Sequence, residues 1–131
     1  MLAIIFGVLL LYMFQSYLHH LIMLKVVGFT LVKYTGGPRD EPLELTLNAG
    51  RAKRAMANLN EAIIVFLPLA LLSVHFGLNE GLAWWGAVVF LLARIAYVPA
   101  YIIAYGLTRS AFWTLGHIGL GMMAVALWKG A

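Results

Sequence analysis

Four stretches of this chain are each long and apolar enough to cross a bilayer, and no other feature restricts its possible folds so much. They cover about residues 2–24 (continuing past Lys25 to 32), 55–76, 82–105 and 111–128. A helix crossing the hydrocarbon needs about 20 mostly apolar residues. Inside that layer every backbone polar group must find its partner within the protein, which leaves helices and closed barrels. The ten-residue alternating segments of a barrel are absent from the sequence. With their flanks, the windows predict helices over about 2–32, 49–76, 82–105 and 109–128 of a single domain, 1–131. One long polar connection (33–51) and two short ones (77–81 and 106–110) join the spans. Short connections make neighbours antiparallel. The expectation is an all-α integral membrane protein, a four-transmembrane-helix up-down bundle.

Composition agrees. Of 131 residues, 63% are hydrophobic and 11% charged, with a mean hydropathy of +0.92. Soluble domains run near 45–50% apolar and about 25% charged, so too few charges are present to cover a soluble surface. With no cysteine, the protein supplies no disulfide, thiol nucleophile or thiolate ligand. The net charge of +4 does not read as a nucleic-acid surface, because the basic residues sit beside apolar spans instead of forming a patch interleaved with aromatics. The first window lacks a basic leader and a small-residue cleavage site, so it reads as a retained helix, not a signal peptide.

Basic residues also set the expected orientation. Lys25, Lys33, Arg39, Arg51, Lys53, Arg54 and Arg109 flank the first and third connections, whereas the middle one carries only His75 and Glu80. By the positive-inside rule, the first and third connections are expected in the cytoplasm and both termini outside.

The residues that point to chemistry are ionisable groups at or inside apolar helices, where a charge costs about 2.5–3.5 kcal/mol and usually faces the bundle interior. Arg51, Arg54, Asn58 and Glu61 follow at intervals of three, four and three. At about 100° per residue they share one stripe. Arg94, Tyr97, Tyr101 and Tyr105 form a second stripe on the next helix, and Glu61 with Arg94 is the expected cross-helix pair. Two readings of these stripes stand side by side: a structural ion pair with interfacial tyrosines, or a polar cavity. Arg109 and Ser110, ahead of Ala111, read either as another basic flank or as a guanidinium and hydroxyl over the mouth of that cavity. Gly116 and Gly119 offer a small face for close helix packing.

The four histidines show no metal-ligand spacing, and no metal is expected. His19 and His20 are adjacent, and each histidine is expected to hold a satisfied polar contact. Pro68 and Pro99 are expected to kink their helices, Met122 and Met123 to face lipid or core, and Gly36-Gly37-Pro38 to form a turn.

The string Arg54-Ala55-Met56-Ala57-Asn58-Leu59-Asn60-Glu61 resembles the R-A-x-x-N-x-x-E signature of the MAPEG family, the membrane-associated proteins of eicosanoid and glutathione metabolism. Ala93-Arg94-Ile95-Ala96-Tyr97-Val98-Pro99-Ala100-Tyr101 is similar to that family's A-R-x-x-Y/H-x-x-x-Y segment, and Arg109-Ser110 to the R-S pair of its prostaglandin E synthase-like members. The resemblance implies a homotrimer embedded in membrane lipid, with glutathione as co-substrate bound between subunits at the cytoplasmic side. It implies that residues matching Arg54, Asn58 and Glu61, with Tyr97 and Tyr101, hold the tripeptide, with Arg51 and Arg94 nearby. Arg109 would stabilise the thiolate beside Ser110. Glutathione carries two carboxylates and an ammonium, so Arg and Glu side by side suit it. Ala62 stands where leukotriene-forming members carry Tyr, and Met56 replaces a common polar residue. These departures, and a first loop that looks more like the bacterial branch, argue against eicosanoid substrates.

The activity so implied is glutathione conjugation to, or peroxide reduction of, a hydrophobic small molecule entering from the bilayer. The alternative is a non-catalytic lipid-binding member of the family; a third reading is a structural or transport bundle with Glu61 and Arg94 as a charge switch.

Overall fold

The computed structural model describes every residue except Arg39, Glu41, Ala104, Tyr105 and Ala131. The part of Arg39 in the basic bias and of Tyr105 in the tyrosine stripe therefore lies outside the described residues. Those residues form α1 (Leu2–Val27), α2 (Phe29–Thr35), α3 (Leu47–His75), α4 (Gly81–Ile103) and α5 (Gly106–Gly130). Of these, α1, α3, α4 and α5 are long and apolar enough to cross a membrane.

The four long helices run up and down. The Thr46 N–H, just ahead of α3, lies 3.5 Å from Met23 Sδ near the end of α1. Arg51, in the first turns of α3, donates to the Ile102 carbonyl at the end of α4 (2.9 Å). Leu78, between α3 and α4, packs on Gly130 at the end of α5. The start of α3 follows from Thr46, whose hydroxyl accepts from the Ala49 N–H at 3.3 Å, a preferred N-cap arrangement.

Two boundaries differ from the sequence expectation. The first helical stretch is not continuous to residue 32: it breaks at Gly28, where φ is 53° and ψ −129°. Only glycine enters that region freely, so the chain turns there and α2 packs back with Leu31 against Met23 and Ala49. The fourth span begins at Gly106, so the polar segment 106–110 opens α5 and is not a connection. The first N–H groups of a helix have no internal partner in any case, which is why polar residues are tolerated there. Pro68 and Pro99 each lie inside an unbroken helix.

The core joins Ile4, Ile5 and Val8 of α1, Phe66 and Ala70 of α3, Phe90 of α4 and Met123 of α5. Phe66 and Phe90 stack with ring centroids 4.6 Å apart. α4 and α5 approach most closely, since a Cβ on Gly86 would lie 2.6 Å from the Gly119 carbonyl and one on Gly119 the same distance from the Gly86 carbonyl. Lipid gives helices no hydrophobic reason to associate, so such backbone proximity, made possible by small residues, supplies the packing.

Candidate functional site

The site is organised around Arg94, a guanidinium only 1% exposed in the middle of the bundle. Its Nη1 donates to Asn58 Oδ1 at 2.7 Å, which ties α4 to α3. Its Nε and Nη2 are buried without a partner. Gly116 of α5 makes room for it: a Cβ there would come within 3.3 Å of Nε. The faces of Phe90 and Tyr97 lie 5.3 and 5.7 Å from its Cζ, a distance at which an aromatic ring attracts a cation.

The expected Glu61–Arg94 pair is therefore not formed within the protomer. Asn58, one turn before Glu61, takes the hydrogen bond, and Glu61 is exposed on the flank of α3. At 1.5 Å per residue, Glu61 stands about 21 Å along α3 from Leu47, well inside the span. Its carboxylate faces a groove of about 370 Å³ between α3 and α5. Asn58 and Glu61 form the polar part of one wall, Trp113 and His117 that of the other. Ala62, Val65, Leu69 and Leu120 make the rest apolar.

Beyond Trp113, which lines both, a second cavity of about 270 Å³ brings together Tyr97 and Tyr101 of α4 with Arg109 and Ser110 of α5. The Arg109 guanidinium lies over the Tyr101 ring, Cζ to centroid 4.9 Å, and Tyr97 and Tyr101 are 5.4 Å apart. Arg109 and Ser110 stand in the opening turns of α5, so the positive end of the helix dipole adds to the Arg109 charge. A cation, a hydroxyl and two phenols around one space favour an anion.

The structure thus gathers Asn58, Glu61, Arg94, Tyr97, Tyr101, Arg109 and Ser110 into two adjoining cavities and the buried polar contact behind them. Arg51 and Arg54 line neither. Arg51 covers the C-terminal carbonyls of α4 through Ile102, a common role for a cation at a helix end. Arg54 is exposed beside Gly50.

Two participants were missed in the sequence reading. Trp113 and His117 follow Arg109 at intervals of four, a one-face spacing that carried the signal. Their rings lie 3.8 Å apart, and His117 Nδ1 is 2.9 Å from the Trp113 carbonyl. A carbonyl only accepts, so Nδ1 carries the hydrogen of this bond. The expectation of satisfied histidines therefore holds for His117. It fails for His19 and His20, whose Nδ1 atoms are buried without partners.

A model of the MAPEG family matches residues 3–128. No curated protein and no solved structure matches the chain.

Proposed function

The chain belongs to the MAPEG family, and from that membership we propose that it is a membrane-embedded glutathione-dependent transferase or peroxidase acting on a hydrophobic electrophile. The observation that carries this reading is the meeting of Arg109, Ser110, Tyr97 and Tyr101 in one cavity that shares Trp113 with an apolar groove. Glutathione would supply the thiol nucleophile. The fit to it rests on charge: Arg109 lines one cavity, Glu61 presents a carboxylate to the groove and the Arg94 guanidinium lies buried behind them, matching a ligand with two carboxylates and an ammonium.

Arg109 takes the role of the cation beside the sulfur. A free thiol has a pKa near 8.5, and a neighbouring guanidinium enlarges the thiolate fraction. Ser110 adds a hydroxyl donor. Asn58, Glu61, Arg94, Tyr97 and Tyr101, with Arg51 and Arg54 at the same end of the bundle, hold the tripeptide. Ala62, Val65 and Leu69 offer the electrophile an apolar wall. An exposed carboxylate deep in a span is costly against lipid, and this supports a homotrimer in which a second copy covers Glu61 and glutathione lies between subunits. The same apolar wall favours the second reading, a non-catalytic lipid binder.

Melting the purified protein with and without glutathione separates the two. Ligand at 100 times its dissociation constant stabilises by about 2.7 kcal/mol; no shift at millimolar glutathione leaves the lipid binder. Arg109→Ala should then lower turnover of a model electrophile about 10- to 100-fold with glutathione affinity kept, one pKa unit in the thiol being a tenfold change. Arg54→Ala should weaken binding itself. Weakened binding in Arg109→Ala with unchanged turnover at saturation removes Arg109 from the chemistry.

The orientation proposed with this function places the 33–51 connection and the α4–α5 end in the cytoplasm. Because the chain has no cysteine, Asp40→Cys and Asn79→Cys report it directly. An impermeant maleimide added outside should label position 79 and spare position 40, and the reverse pattern refutes the assignment.

A further inference from the structure

Five buried side-chain nitrogen and oxygen atoms lack a partner among the described residues, and they fall into two groups. Two belong to Arg94. The other three, Gln15 Oε1, His19 Nδ1 and His20 Nδ1, lie within six residues on α1. A buried polar group without a partner costs stability; Gln15 lines no cavity beside this cluster, but both histidines do.

The two imidazoles stand with centroids 3.9 Å apart and line a cavity of about 250 Å³, together with Lys53 of α3 and Tyr34 of α2. The Tyr34 hydroxyl oxygen accepts from the Leu43 N–H at 3.4 Å, which leaves its own hydrogen to donate. An imidazole, an ammonium and a phenol can each donate, and among the described residues no carboxylate lines the cavity. Four donors around a space of that size suit an anion with several acceptor oxygens.

The cavity adjoins a second, of about 440 Å³, which shares His20 and Leu31 with it. That neighbour lies between α1 and α2 and is walled mainly by Tyr17, Leu21, Leu24 and Val32. A donor-lined chamber opening onto an apolar one matches an amphiphile. The level in the membrane agrees: residues 2–18 of α1 span about 26 Å, close to the hydrocarbon thickness of about 30 Å. His19 and His20 therefore fall near the headgroup boundary.

We propose that this corner of the fold binds an anionic phospholipid, its phosphate held by His19, His20, Lys53 and Tyr34 and an acyl chain lying between α1 and α2. Among the described residues, the site shares no lining residue with the α3–α5 groove or the Arg109 cavity. Lys25 and Lys33, at the ends of α1 and α2, add positive charge of the kind that draws anionic lipids to a membrane protein. With no acidic group among the described lining residues, a choline ammonium gains no partner from them, so phosphatidylglycerol should be preferred to phosphatidylcholine.

Native mass spectrometry of the purified chain, titrated with phosphatidylglycerol or phosphatidylcholine of identical acyl chains, tests the proposal. The expected result is phosphatidylglycerol binding at least about tenfold tighter, a difference one charge-assisted hydrogen bond can supply. The double substitution His19→Phe and His20→Phe keeps ring volume and should abolish the preference. Lys53→Gln, at an exposed position, should reduce it and gives a readout even where the double variant does not fold. Equal affinity for the two lipids, or a preference unchanged in Lys53→Gln and in the double variant, overturns the site. So does stabilisation by inorganic phosphate alone equal to that by phosphatidylglycerol, which would make it a free-anion site.

Discussion

Where α4 crosses α5, a Cβ on Gly86 would lie 2.6 Å from a backbone oxygen; at Gly28, between α1 and α2, nothing stands within 4 Å. The two regions treat buried polar groups in correspondingly different ways. In the α4–α5 pair the backbones are so close that Arg94 is held on Gly116 and Asn58 with its remaining donors fixed in place. In the α1–α2 corner the turn at Gly28 leaves two adjoining cavities, one lined by both His19 and His20 and the other by His20. Tight packing fixes Arg94 against its neighbours; loose packing leaves cavities open. Mutations that add volume should therefore be ruinous in the first region and mild in the second.

The largest effect is expected at Gly119. A leucine there meets the Gly86 carbonyl at 2.6 Å and the Phe90 backbone nitrogen at 2.8 Å, neither of which can rotate away. Overpacking usually costs about 1–3 kcal/mol and more where backbone must move, so Gly119→Leu should lose over about 3 kcal/mol or fail to accumulate. Gly121, two residues on, has nothing within 4 Å, and Gly121→Leu should melt near the parent. Equal melting of both variants would mean that α4 and α5 are not in contact as described.

Next comes Arg94. Asn58→Ala removes its one hydrogen-bond acceptor and should cost about 2–3 kcal/mol, the range for a bond to a charged group. Glu61→Ala should leave ligand-free melting within about 1 kcal/mol, as for a substitution that breaks no bond, while weakening glutathione binding. Should Glu61→Ala prove as destabilising as Asn58→Ala, the guanidinium pairs with Glu61 instead.

How much of this could be read in the chain depends on the kind of feature. The four spans were legible because bilayer thickness sets the length of an apolar run, and no packing detail changes that. The stripes through Asn58 and Glu61 and through Arg94 were legible because helical periodicity is local. Which stripe member Arg94 would choose was not, since Asn58 and Glu61 lie less than a turn apart and periodicity is blind to side-chain reach. The early start of α5 was hidden because Thr108, Arg109 and Ser110 suit a loop and a first helical turn alike. Trp113 and His117 carried a visible spacing from Arg109, but apolar surroundings made them look like ordinary helix faces. The break at Gly28 was invisible for a different reason: a single glycine in an apolar helix is commonly tolerated, and only backbone angles distinguish a turn from a passing residue.

Gly28 also gives a small effect, and it is the sharpest probe of the loose region. Its φ of 53° with ψ of −129° is not the left-handed helical basin, in which ψ is positive and asparagine is tolerated; it is a conformation that residues with a Cβ rarely adopt. With open space around it, substitution carries no clash, only backbone strain of about 1–2 kcal/mol. Gly28→Ala should therefore lower stability by that amount, and Gly28→Asn should do no better. If α1 relieves the strain by running straight on into α2, Leu31 leaves Met23 and Ala49, and the chamber between α1 and α2 is lost with it. Both variants should then lose phosphatidylglycerol binding while glutathione-induced stabilisation stays at the parent level, because no residue of the α3–α5 groove moves. Recovery of stability in Gly28→Asn alone would show that the turn is an ordinary left-handed helix end, and the cavity beside it would need another origin.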